Sequence, residues 1–298
     1  MTYGRFGIRS IRATIALEID RDAGGWAMPQ GTVTLEHLIE ATTAFVDPWA
    51  IHDLAPTGLQ VRGAPEGVRV DVDRVALAVS TTAAVIDSAA EWGAQLLVAH
   101  HGMFWGTTRP TYVAATDPAR PWDLRRLERL LSHGLSLAAY HLPLDAHAEI
   151  GNNAELARRL GLTVVASDLG GWPGTTAPLG LRATTAEPLN ADELGRRVAR
   201  AFDTDPIVIP GKPGGIRTIG IMSGGATREI HEIIDLGLDA YLSGEGEVWS
   251  YDLALEAGVT IVVMGHHRSE RYGVQALGGW LGRRFGLETR FFDEPNPF

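Results

Sequence analysis

From Thr34 onward, short apolar runs alternate with amphipathic stretches of helical length. This alternation limits the fold more than any other feature of the chain, because strands and helices in strict alternation build α/β layers. The spacing predicts strands over Val75–Ser80, Gln95–Ala99, Ser136–Tyr140, Thr163–Ala166, Leu179–Ala183, Pro206–Ile209, Thr218–Met222, Asp239–Leu242, Thr260–Met264 and Glu288–Phe292. It predicts helices over Leu35–Phe45, Ala83–Trp92, Trp122–His133, Ala154–Leu160, Ala191–Phe202, Thr227–Leu236, Val248–Ala257 and Glu270–Phe285. Glycine and proline mark loops at Gly106–Pro121, Gly170–Pro178 and Pro210–Gly215.

The chain also matches itself. VALAVS from Val75 and TIGIMS from Thr218 each end in serine, lead into a helix, and reach a second apolar run, QLLVAHHG in one and DAYLSGEG in the other. Each continues through a further helix and a glycine to a run ending near histidine: LSLAAYHLPLD after Gly134 and VTIVVMGHHRSE after Gly258. A duplicated β-α-β-α-β unit explains the match, and so does chance similarity between α/β segments. The expected organisation is one domain over 33–298 in two α/β halves, about 33–167 and 178–298. Residues 1–32, with Arg5, Arg9, Arg12 and Arg21 and no signal-like apolar stretch, read as a disordered extension or a misplaced start, Met28 being a candidate true start.

Composition closes several functional classes. With no cysteine among 298 residues, disulfides, thiolate nucleophiles and iron-sulfur clusters are excluded, and any metal must be held by nitrogen and oxygen. The net charge of -10 argues against a uniformly basic, nucleic-acid-binding surface. Lys212 is the single lysine, and Pro213 after it rules out a P-loop. No apolar run approaches the roughly 20 residues that span a bilayer, so the expected location is the cytoplasm.

Six of the ten histidines gather in three places. His100 and His101 follow QLLVA, His141 and His147 flank Asp145, and His266 and His267 precede Glu270. Each place lies at the C-terminal end of an expected strand, the edge of a parallel sheet where ligands collect. A single histidine there is more often a hydrogen-bonded loop residue than a ligand. Adjacent His100 and His101 point to opposite sides of an extended chain, so both ligate only if the chain turns at Gly102 or two metals lie side by side. His266 and Glu270, four apart, share a face if a helix begins there, with Ser269 or a neighbour as its cap. Three imidazoles and two carboxylates suit a pair of borderline ions, Zn, Fe, Mn or Co, better than Ca or Mg.

DLAPTGLQV (53–61), AHHGMFWG (99–106), YHLPLDAHAEIGNNAELA (140–157), SGEGEVWSYDLALEAGV (243–259) and GHHRSERYGVQAL (265–277) together resemble the Nif-three-like dinuclear metal-centre proteins, also called GTP cyclohydrolase 1 type 2 homologs. The resemblance runs from about Val33 to Pro297. It implies two intertwined α/β subdomains related by a pseudo-dyad, with helices layered on mixed sheets, and a homohexameric ring. It implies two divalent ions per chain on His100, His101, Asp145, His266 and Glu270, with Glu270 bridging. Thr57 stands where close relatives tend to have asparagine, and the long insert that some members carry between the halves is missing.

The activity implied is metal-dependent hydrolysis of a nucleotide, with a metal-bridged hydroxide opening the imidazole ring of guanine. In that scheme Glu270, His141 and His267 are the candidate catalytic groups. Phe104 and Trp105 could stack on a purine, or pack in the core or an interface; Arg268 and Arg271 could meet phosphates, or pair with nearby acids. Two alternatives share the ligand set: a non-catalytic ring that binds metal or partners, and a two-metal nucleotide phosphoesterase.

Overall fold

A computed structural model describes residues 32–47, 51, 53, 55–105, 121–170 and 177–298. The expected N-terminal extension, apart from Thr32, and the greater part of the loops after Gly106 and Gly170 lie outside the described residues.

The chain opens with β1 (Val33–Thr34), α1 (Leu35–Val46), β2 (Gly58–Val61) and β3 (Asp71–Val72). Thr34 caps α1 by accepting a hydrogen bond from the amide of His37. The first repeat comprises β4 (Arg74–Ser80), α2 (Ala83–Glu91), β5 (Leu96–His101), α3 (Pro121–His133) and β6 (Ser136–Ala139). Next come α4 (Leu142–Asp145), α5 (Asn152–Arg159), β7 (Thr163–Leu169), β8 (Gly180–Leu189), α6 (Ala191–Phe202) and β9 (Ile207–Ile209). The second repeat is β10 (Ile216–Met222), a 3-10 turn (Thr227–Glu229) running into α7 (Ile230–Asp235), β11 (Ala240–Ser243), α8 (Val248–Ala257) and β12 (Thr260–Val263). The chain closes with α9 (His266–Ser269), α10 (Arg271–Phe285) and β13 (Glu288–Phe291).

Both repeats fold as the same unit. The first sheet runs β13-β4-β5-β6-β2, and β4, β5 and β6 are parallel; the second runs β7-β8-β10-β11-β12-β9, and β10, β11 and β12 are parallel. These central strands are dominated by apolar residues because both faces are covered: Val75 through Val79, and all of β6 and β11, are buried.

Helices beyond the third strand of each repeat lace the two units together. After β6, α5 crosses to the second sheet, where Leu156, Ala157 and Leu160 pack with Leu181, Ile219 and Leu242. After β12, α10 crosses the other way, burying Val274, Leu277 and Leu281 against Val75, Leu77 and Leu96. Gly273 lets the two crossing helices approach, since a Cβ there would lie 2.8 Å from Asn152 Oδ1. A cut at 167/178 therefore does not separate the sheets: β7 pairs with β8 in the second, and β13 joins β4 in the first.

Three short strands, β1, β2 and β3, and the single turns α4 and α9 carry too little periodicity to be read from sequence. The expected Leu179–Ala183 strand runs on to Leu189, and the expected Thr227–Leu236 helix starts as a 3-10 turn. None of the described helices is long and apolar enough to cross a membrane.

Candidate metal centre

His100 and His101 are the last two residues of β5 rather than loop residues beyond it. Pairing of His101 with Ser80 of β4 keeps the backbone extended to the end, so the two imidazoles leave from opposite sides, as strand geometry requires. Both nevertheless reach Glu270, which sits at the junction of α9 and α10. Its Oε1 lies 3.5 Å from His100 Nε2 and its Oε2 lies 3.0 Å from His101 Nε2.

His266 Nε2 is 3.2 Å from the same Oε2, and Asp145 Oδ2 is 3.5 Å from His100 Nε2. Glu270 thus divides five groups into two triads, His100–Asp145–Glu270 and His101–His266–Glu270, each with ligand atoms within 4.8 Å of one another. The first triad is closed, with the His100 side chain at 0% exposure and Asp145 at 8%. The second is open, with His101 at 20% and His266 at 28%. A cavity of about 790 Å³ adjoins His266, lined also by Asp203, Asp205, Glu245, Arg268 and Phe298, and a smaller one of about 220 Å³ lies beside His101 and His267.

The surrounding chain fixes each donor. His100 Nδ1 donates to the Tyr140 carbonyl at 3.0 Å, His266 Nδ1 to Glu245 Oε1 at 2.5 Å, and His101 Nδ1 lies 3.4 Å from Ser80 Oγ. With the outer nitrogens engaged, each Nε2 faces inward, where the ring presents a lone pair to a metal once it gives up its proton. Asp145 Oδ1 accepts from Asn152 Nδ2 at 2.8 Å and from Ser223 Oγ at 3.1 Å, which leaves Oδ2 toward His100. Asn153 holds the same turn, donating to the carbonyls of Asp145 and Leu179 and accepting from Ser223 N.

Nε2 of His100, Nε2 of His266 and Oε2 of Glu270 are buried yet have no hydrogen-bond partner, although oppositely charged neighbours lie 3.0 to 3.5 Å away. Buried polar atoms are ordinarily paired. Converging donors that are close but misaligned for hydrogen bonding fit cations of borderline softness, and the residues present therefore fit bound metal.

Electrostatics agree with this reading. Burial alone would depress His100, but the carboxylates of Asp145 and Glu270 outweigh it and push its pKa up to about 9. His266, partly desolvated, is pushed up to about 9 by Glu270 and Glu245. Burial holds His101 below its ordinary value despite Glu270. For Glu270, burial is outweighed by His101 and His100, which hold it well below the usual carboxylate range.

The other sequence candidates separate. His141 joins the cluster, its ring 5.1 Å from that of His100 and 5.4 Å from that of His101. Trp105, half exposed, stands edge-on to His141 at 5.1 Å and tilted to His101 at 5.7 Å, at the mouth of the site. Phe104 packs on the core under the first sheet instead. Arg268 lines the large cavity. Arg271 is turned to Asp293 at 2.7 Å, which also takes His267 Nε2 at 2.9 Å, so neither belongs to the ligand groups. Ser269 does not cap α10; its hydroxyl donates to the His266 carbonyl and accepts from Gly224 N.

Sequence reasoning missed Asp53, Ser80, Glu245, Asn152, Asn153 and Gly224. The Asn152-Asn153 pair beside Asp145 is the one local signal that could have pointed to any of them. Gly224 has φ +67°, and a Cβ there would fall 2.2 Å from Glu270 Oε1. Gly224→Ala is accordingly expected to displace Glu270 and weaken metal binding by about 10-fold or more, on the scale of lost outer support, as chelator competition would show.

Comparison with known proteins agrees with this architecture. The family model for Duf34/NIF3 (NGG1p interacting factor 3) matches residues 33–297. A Pseudomonas aeruginosa protein named GTP cyclohydrolase 1 type 2 homolog is 40% identical over 266 residues, 89% of this chain and 99% of that protein. A Vibrio cholerae protein of the same name is 36% identical over 265 residues, 88% and 98% of the two chains. Among solved structures, the structural-genomics protein ybgI, described as of unknown function, superimposes with a TM-score of 0.78 at 31% identity, covering 89% of this chain and all of that one.

Proposed function

Because the chain belongs to the Duf34/NIF3 family, we propose that it is a dinuclear metal-dependent hydrolase acting on a guanine nucleotide, as the shared name of its relatives suggests. The observation that carries the reading is Glu270, one carboxylate faced by three imidazoles and shared by two ligand triads. A carboxylate shared by two donor groups suits a pair of ions held close together. His100, Asp145 and Glu270 would hold one ion, and His101, His266 and Glu270 the other, with Zn, Fe, Mn or Co suited to the donors. When bound, such ions supply Lewis acidity, which makes water acidic and offsets negative charge developing on substrate.

The residues of the chain do the rest. Trp105 offers a flat surface on which a purine can stack, and Arg268 can meet phosphate oxygens. The net reaction adds water at the carbon between the two imidazole-ring nitrogens, opens that ring to a formamide, and releases formate with a second water. Trp105→Ala is expected to raise KM about 10-fold with kcat little changed, since base stacking on an aromatic contributes about 1 to 3 kcal/mol. A loss confined to kcat would exclude the stacking role.

The deciding experiment gives GTP, and separately a generic phosphodiester, to metal-reconstituted protein and follows formate and phosphate beside a Glu270→Gln control. Formate above the control supports the cyclohydrolase reading. Phosphate without formate would mean a two-metal phosphoesterase. Neither above the control would end the hydrolase reading in favour of metal holding and delivery, for which the exposure of His101 and His266 speaks.

A ring of six copies, in the cytoplasm where nucleotides are supplied, belongs to the same proposal. Val248, Tyr251 and Leu255 leave an exposed apolar stripe on α8 that a neighbouring copy could cover. Light scattering at the mass of one chain would refute the ring.

A further inference from the structure

Two turns of this chain are built alike. After β6, His141 is followed four residues later by Asp145, which closes α4; after β12, His266 is followed four residues later by Glu270, just past α9. Residues four apart on a helical turn face the same way. Each histidine has its outer nitrogen on a carboxylate from elsewhere in the chain: His141 Nδ1 lies 2.9 Å from Asp53 Oδ1, and His266 Nδ1 lies 2.5 Å from Glu245 Oε1. Both acids of the pair stand in the ligand triads, but only the second histidine does.

The third group of converging donors, His100, His101 and His141, again has its ligand atoms within 4.8 Å of one another. Asp53 is a buried carboxylate, 4% exposed, that accepts from His141, Ala55 N and Leu142 N. Taking a carboxylate out of water is costly unless its partners repay it. Here it fixes the His141 ring through Nδ1 and leaves Nε2 facing inward, as Glu245 does for His266.

We propose that His141 is a sixth metal ligand, completing the shell of the ion held by His100, Asp145 and Glu270, with Asp53 as its positioning carboxylate. The assignment rests on the two-ion reading. His141 is nearer the His100 ring than the His101 ring, 5.1 against 5.4 Å, and shares its turn with Asp145. The buried ion then has four protein groups and the outer ion three. Closed shells of four mark structural sites, whereas three protein ligands leave a position for water or substrate. The outer triad, next to both cavities beside His266, is therefore the reactive half.

The test uses the full chain loaded with Co(II), read by stepwise chelator competition and by the visible cobalt spectrum. His141→Ala is expected to weaken one ion of the two by about 100-fold and to change the spectrum of that ion alone. Asp53→Ala is expected to weaken the same ion by about 10- to 100-fold, and Asp53→Asn to recover most of the loss, because its carbonyl can accept the same hydrogen bond. If His141→Ala does not fold, the Asp53 pair decides. Two ions bound with unchanged affinity and spectrum in both alanine variants would overturn the assignment and leave the two-ion reading standing. Lost turnover with metal unchanged would make His141 a proton carrier and overturn it equally. A wild type that binds no ion would remove both.

Discussion

Glu270→Gln is expected to cost the protein both ions together, while His101→Ala and Asp145→Ala each cost one. The difference comes from position: Oε1 serves the triad of His100 and Asp145, and Oε2 serves that of His101 and His266. Glutamine keeps the volume but loses the charge, and it offers one carbonyl oxygen where two ions each need an anionic donor. Each affinity should fall by at least about 100-fold, or about 2.8 kcal/mol at about 1.4 per decade. The variant should still fold. His100 keeps its raised pKa only while Asp145 and Glu270 face it, so removing one carboxylate lets the buried imidazole become neutral instead of leaving a stranded charge. Elemental analysis after gel filtration, beside circular dichroism, would check this. One tightly held ion in Glu270→Gln would show that the carboxylate is not shared.

How much of the molecule is legible in its sequence differs by level. The central strands are readable because each is buried on both faces and so is largely apolar, as Val75–Val79 and Ala240–Leu242 are. The repeat is readable because one supersecondary unit is used twice. The crossing of α5 and α10 is not, since an amphipathic helix records that it has an apolar face but not which sheet that face meets. Of the five converging side chains, the three histidines can be named from sequence because histidine at a strand end is chemically conspicuous, and the two carboxylates because each lies four residues after a histidine. Their supports cannot, for opposite reasons. Asp53 lies 88 residues from His141, so no local pattern connects them. Glu245 is 49% exposed and reads as an ordinary surface acid. Arg271 pairs with an acid, one of the two alternatives open in the sequence, but which acid is not legible, because the Asp293 that binds both Arg271 and His267 is contributed from beyond the last strand.

Metal affinity should rise steeply with pH, by about 10-fold per unit for each ion and about 100-fold per unit for loading both, between about pH 7 and 9. In the metal-free protein His100 and His266 both have a pKa near 9, against an ordinary value near 6.5, so each holds a proton across that interval. An ion needs the neutral imidazole, and loading must displace about one proton from each. Calorimetry at pH 7 in buffers of different ionisation enthalpy should therefore report about two protons released per chain. Glu270, held well below the usual range, and His101, depressed by burial, add nothing at that pH. The effect on stability has a definite sign. Because the folded pKa values lie above the unfolded ones, this contribution to the metal-free fold is complete below about pH 6.5 and is lost as pH rises through about 9. The loaded protein carries neither proton and does not lose it. The gap in Tm between loaded and metal-free protein should accordingly widen from pH 6.5 to 9 and then level. A gap that stays constant over that interval, with no proton released at pH 7, would mean that His100 and His266 are already neutral without metal, and that their facing carboxylates do not hold a proton on them.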